Sequence, residues 1–181
     1  MPISLDAVDA RILDVLQSDC ALSNQDLAER VLTSPATCLR RVKRLVDSGV
    51  IERRIAILAP DRAADGLAAG ITAVVEVTLD RQPVELQSTF EERAVADEAV
   101  QQIYRVSSGP DFVLVVRVGD MDGYQALAQR LFTNDANVRN VRTYFAVKRA
   151  KFEPRIPVMA QGSTKPATSE AAIVGKDAMD I

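Results

Sequence analysis

Over the first fifty residues, apolar side chains recur at helical spacing in three short blocks. Leu5, Val8, Ile12, Val15 and Leu16 make the first, behind Asp6, which suits an N-cap, and Asp9, an acid at the positive end of the helix dipole. Ser23 opens the second, with Asp26 at the capping-box position and Leu27, Ala28 and Val31 on its apolar side. Ser34 opens the third, with Pro35 where a missing N–H costs nothing, and Gly49 closes it as a residue free to turn left-handed. Only Leu32 and Thr33 lie between the second block and the cap of the third, the joint of a helix-turn-helix. Wound at ~100° per residue, positions 34–48 place Leu39, Val42, Leu45 and Val46 on one stripe with Cys38 at its margin. Thr37, Arg40 and Arg44 fall opposite, flanked by Ala36, Arg41 and Lys43. The following VIERRIAIL is β-prone on both sides of Glu52, Arg53 and Arg54 and predicts a wing hairpin or the strand leaving it. Pro60, Asp61 and the Ala/Gly-rich stretch to Gly70 read as a linker.

From Ile71 the period changes. Ile71, Ala73, Val75, Val77 and Leu79 alternate with a more polar set, which predicts a strand. Leu86, Phe90 and Ala94 then predict a helix over 84–97. Strands at 100–107 and 112–118 follow, joined by the turn-rich Ser108, Gly109, Pro110 and Asp111. Tyr124, Leu127, Ala128, Leu131 and Phe132 mark another helix, and 138–149 a long last strand. The order β-α-β-β-α-β is ferredoxin-like, with helices on one face and self-association the simplest cover for the other. The fold class is α+β. Residues 1–54 form a winged helix-turn-helix, 55–70 a connection, 71–152 a ferredoxin-like domain, and 153–181 a tail, expected to be disordered after about 160.

Composition narrows the chemistry. The 181 residues include two cysteines and no histidine, which removes the commonest general base near neutral pH and leaves no ordinary set of zinc ligands. No catalytic residue, metal or cofactor is expected, and Cys20 and Cys38 read as small buried hydrophobes. With no basic and apolar leader and no long apolar run, the chain is expected to be cytoplasmic and away from membranes. Net charge is −3, yet the third block carries Arg40, Arg41, Lys43 and Arg44 against Asp47 alone, a concentrated basic face suited to double-stranded DNA. Recognition helices use their first turns for base edges, which assigns Ala36, Thr37 and Arg40 to bases. Ser34, Arg41, Lys43 and Arg44 fall to phosphates, with Arg53 and Arg54 as weaker phosphate contacts.

These residues carry a family resemblance. Leu5-Asp6, Asp9, Ile12-Leu13, Leu16, Leu27-Ala28 and SPATCLRRVKRLVDSGVI closely resemble the Lrp/AsnC (feast/famine) regulators. So do YRVSSGPDFVLVVRVGDMDGY and VRTYFAVKRAKF, and the resemblance spans roughly residues 4–155. It implies a winged helix-turn-helix followed by a ligand-sensing RAM domain, dimers that commonly assemble into octamers, and an amino-acid effector held around the turn between the second and third sheet strands. Carried onto this chain, that turn is Ser107, Ser108, Gly109, Pro110 and Asp111, with Asp111 facing the effector's ammonium. Two departures stand out. The family's usual glycine is Ser108 here, implying lost or changed effector specificity. Asp19-Cys20-Ala21-Leu22-Ser23 lacks the usual arginine. Two other readings stay open: an enzyme resembling sirohaem decarboxylases, and a nucleoid-organising protein with little sequence preference.

Overall fold

The computed structural model describes residues 3–59 and 70–159, so most of the expected linker and the tail from residue 160 lie outside the described residues. The described residues form two compact units, one running to Ile57 and completed by residues 153–159, the other running from Leu58 to Phe152.

The first unit holds α1 (Ala7–Ser18), α2 (Asn24–Arg30) and α3 (Pro35–Asp47). Each starts where its cap predicts. Asp6 accepts from the N–H groups of Val8 and Asp9 while the Asp9 carboxylate accepts from the Asp6 N–H, a complete capping box. Ser23 caps α2 through the Asp26 N–H, and Ser34 caps α3 through the Thr37 N–H with Pro35 at the first turn. The chain turns left-handed as it leaves α2 and again as it leaves α3. Gly49 does so after α3 at φ +75°. Leu32 does so after α2 at φ 57°, with Leu32 N–H bonding Glu29 and Thr33 N–H bonding Ala28, a Schellman ending that normally takes glycine. Ile12, Leu27, Ala28, Val31, Cys38, Val42 and Leu45 form the core between the helices.

Three expectations change in this unit. Among the described residues no wing hairpin is formed: the segment after Gly49 pairs as a strand with none of them, and β-prone residues make a ladder only with a partner. Cys20 is exposed in the α1–α2 turn, whereas Cys38 is buried, which pushes its thiol pKa up. The first residues of the expected tail are part of this unit. Residues 153–159 lie as a strap along α1: the Gln17 amide donates to the Ile156 carbonyl (3.0 Å) and accepts the Ile156 N–H (2.8 Å). Arg155 pairs with Asp14 at 2.8 Å, and Val158 packs on the helical core.

The second unit is β1 (Ile71–Leu79), α4 (Val84–Ala96), β2 (Val100–Arg105), β3 (Phe112–Val118), α5 (Met121–Ala128) running into a π turn (Gln129–Thr133), and β4 (Val138–Phe145). The sheet order is β2-β3-β1-β4 with antiparallel neighbours, as the ferredoxin-like reading requires. Alternate residues of β1 and β3 meet Phe90, Ala94, Leu127, Leu131 and Phe132 in a single core. Phe90 and Phe112 stack at 5.0 Å between ring centroids. β4 ends at Phe145, short of the expected 149, because its partner β1 runs out: Phe145 pairs with Ala73, and Ala146 N–H makes a last bond to the Thr72 carbonyl. On the other sheet face, register aligns Gln102, Val115, Val74 and Tyr144 in one row and Tyr104, Val113, Glu76 and Arg142 in the next. Val74, Tyr104 and Tyr144 are exposed there.

Candidate nucleic-acid interface

Helix α3 is held from two sides. Cys38, Val42 and Leu45 point into the core. Beside them the cap of α1 doubles as an anchor. Arg41 Nη1 donates to Asp6 Oδ2 at 2.7 Å and to Asp9 Oδ1 at 2.8 Å. Arg44 Nη2 donates to Asp9 Oδ2, and Asp9 is wholly buried. The Asp9 N–H and then Arg41 stabilise the Asp6 carboxylate, lowering its pKa to about 2, while Asp6 and then Asp9 raise that of Arg41. At the N-terminal end, Asn24 Nδ2 donates to the Pro35 carbonyl at 2.9 Å and ties α3 to the start of α2.

These anchors set the outward face. At ~100° per residue, the side opposite Cys38, Val42 and Leu45 centres on Ala36, Arg40 and Lys43, all three exposed. Neither Arg40 nor Lys43 makes an ion pair among the described residues. Thr37 and Arg44 lie on one flank; Thr37 Oγ1 takes a hydrogen bond from the Ser34 hydroxyl at 2.9 Å, and the Arg44 side chain is 45% exposed despite its pairing. Arg41 does not reach this face: its guanidinium is spent on α1 and its side chain is only 20% exposed. The apolar stripe also differs from expectation. Leu39 is 60% exposed and Val46 is exposed as well, on the flank away from Arg44. The helix is therefore rolled toward α1 relative to its hydrophobic average, because the Arg41 and Arg44 pairs hold that edge down. Wheel counting missed Leu39 as a surface residue and Asp6 and Asp9 as anchors. The one local signal was an unusually acidic α1 start facing an unusually basic α3.

The turn expected to meet an effector joins β2 to β3. Ser107, Ser108 and Gly109 are exposed and Pro110 is half-buried. Gly109 carries the left-handed backbone at φ +86° with open space where a Cβ would project, so the glycine stands where this turn needs it and Ser108 is not left-handed. Asp111 is buried, and its Oδ2 accepts the Leu79 N–H at 2.7 Å. That bond fastens the turn to the end of β1. Among the described residues there is no cluster able to hold a metal ion, and no helix is long and apolar enough to cross a membrane.

A three-helix unit that offers unpaired cations from its third helix, in one chain with a ferredoxin-like sheet domain, defines a helix-turn-helix DNA-binding regulator. Residues 5–52 match the family model for winged helix-turn-helix DNA-binding, and residues 72–156 match that for the Lrp/AsnC ligand binding domain. The chain is 36% identical over 148 residues to a leucine-responsive regulatory protein from Haemophilus influenzae, covering 82% of this chain and 87% of that one. It is 34% identical to its Escherichia coli K12 namesake, over 85% and 92% of the two chains. The crystal structure of an AsnC family transcriptional regulator from Agrobacterium tumefaciens superposes with a TM-score of 0.74 at 31% identity, covering 84% of this chain and 97% of that one. A transcriptional regulator from Neisseria meningitidis, solved as its L-Met complex, superposes at 0.73 with 27% identity, covering 85% and 97%. The chain belongs to the Lrp/AsnC family of transcriptional regulators. These relatives are regulators, and they lend the enzyme and nucleoid readings no support.

Proposed function

We propose that this protein controls transcription from the cytoplasm as a homodimer that seats α3 in the major groove of double-stranded DNA and answers to an amino-acid effector. The observation that carries the DNA half is the unpaired Arg40–Lys43 face. Ala36, Thr37 and Arg40 read bases, with Arg40 paired bidentately to guanine. Ser34 at the helix N-terminus, Lys43 and Arg44 hold phosphates. Arg41 is a positioning residue, acting through Asp6 and Asp9. Arg40→Ala is expected to weaken a selected duplex about tenfold or more and to relax preference at a single base pair. Lys43→Ala is expected to weaken all duplexes alike and flatten the salt dependence by about one ion. Gel-shift titrations at two salt concentrations separate the two, and equal, sequence-blind losses would end the division into base and phosphate contacts.

The dimer forms through the open sheet face around Val74, Val115, Tyr104 and Tyr144, and dimers assemble further toward octamers. The effector is an amino acid or similar metabolite held at the turn of residues 107–111, where exposed backbone groups of Ser107, Ser108 and Gly109 meet its carboxylate and ammonium. The buried Asp111, spent on the Leu79 N–H, braces the turn rather than facing the ammonium. A single chain leaves that turn open, so the second wall comes from another copy. The support here is the L-Met complex of the Neisseria relative together with the Lrp/AsnC ligand binding match. Val74→Asp is expected to lower the sedimenting mass to a monomer and to abolish any thermal stabilisation that an amino-acid screen detects. Unchanged mass would take this face out of the assembly.

A further inference from the structure

We propose that Leu39 is a specificity-determining residue that reads the C5-methyl group of a thymine beside the base pair contacted by Arg40. The proposal rests on the DNA-binding reading and adds to it an apolar reader. Leu39 is 60% exposed although its helix has a well-filled core side. The roll imposed by Arg41 and Arg44 on Asp9 is what lifts it out. It sits one residue before Arg40, one turn after Ala36 and one turn before Lys43, so an apolar side chain stands among free cations. A partner for that surface has to offer negative charge at its rim and an apolar group at its floor. The major groove offers phosphates at its rim, and the thymine methyl is the apolar group on its floor.

The axial spacing agrees. At ~1.5 Å per residue, Leu39 precedes Arg40 along the helix by less than one base step of ~3.4 Å, whatever the tilt of α3 in the groove. Leu39 therefore falls at the level of Arg40's base pair or its immediate neighbour. Val46, on the same flank, lies two turns farther along, where recognition helices have moved on to the backbone.

The test uses the full-length chain and duplexes it enriches from a random-sequence pool. Each thymine of an enriched duplex is replaced singly by deoxyuridine, which removes the methyl group and nothing else. The unsubstituted protein is expected to lose about fourfold in affinity at one thymine per half-site, the worth of one buried methyl group. Leu39→Ala is expected to show a similar overall loss and no further loss at that thymine, with other positions unchanged. Because Leu39 is largely outside the core, the variant should keep the parent's circular dichroism and melting temperature. A uracil profile identical in protein and variant overturns the assignment. So does a changed sedimenting mass for Leu39→Ala with that profile intact, which would make Leu39 a contact between copies. Failure to enrich any duplex at low salt would sink the DNA-binding reading itself, an outcome distinct from an unchanged profile on enriched DNA.

Discussion

Asp9→Asn is expected to lower the stability of the winged-helix unit by about 3 kcal/mol and to abolish specific DNA binding with it. The carboxylate is buried, closes the capping box of α1, and pairs with two arginines of α3. An asparagine keeps the shape but leaves Arg44 without its counter-charge and Arg41 with Asp6 alone. Arg44, nearly half exposed, can turn into water; Arg41, at 20%, has little room to do so, which puts the cost at the lower end of what a broken buried pair brings. Hydrogen exchange of peptides covering α1 and α3 measures the loss. Protection matching the parent would show that the anchor is dispensable. Asp9→Leu combined with Arg41→Met is expected to recover much of the stability, since two apolar groups need no counter-charge. In that double variant α3 is no longer held through Arg41 and recovers less of its sequence preference.

Phe112→Ala is expected to cost the ferredoxin-like unit about 3–5 kcal/mol. Phe112 is completely buried, stacks on Phe90 of α4, and lies under the Arg105 guanidinium. It also follows Asp111, whose carboxylate holds the Leu79 N–H, so a cavity here loosens the β2–β3 turn where we place the effector. Tyr104, Tyr124 and Tyr144 all lie in this unit and the chain has no tryptophan. Urea unfolding followed by tyrosine fluorescence therefore reports on this unit alone. A midpoint shift worth under about 1 kcal/mol would mean that the site collapses around the smaller side chain, and that the ring pair is not a keystone of the core.

What could be read from the chain was whatever depends on neighbours in sequence. Asp6, Ser23, Ser34, Pro35 and Gly49 mark helix ends by chemistry acting over three or four residues, and each stands where it was expected. The strands of the second unit follow from alternation that the core enforces along β1 and β3. What escaped depends on partners far away. The roll of α3 is set by Asp9, 32 and 35 residues from its arginines, so a periodicity that treats Leu39 and Val42 alike could not separate the exposed one from the buried one. Leu32 reads as an ordinary hydrophobe, and only the Schellman bonds show that it occupies a glycine's conformation. The β4 end was overextended because a strand stops where its neighbour does. The π turn after α5 left no mark in the apolar spacing, since Leu131 and Phe132 are buried as a continuing helix would bury them.

The strap along α1 bears on how such proteins can be recombined. Because Gln17 is hydrogen-bonded and Asp14 ion-paired to residues more than a hundred positions downstream, the reading head is encoded in two separate stretches of the gene. A chimaera that grafts a foreign head by a single crossover near residue 57 would inherit this chain's strap against an unfamiliar helix. Faithful exchange takes two junctions, the second just before Glu153, so that the grafted head arrives with its own fastening.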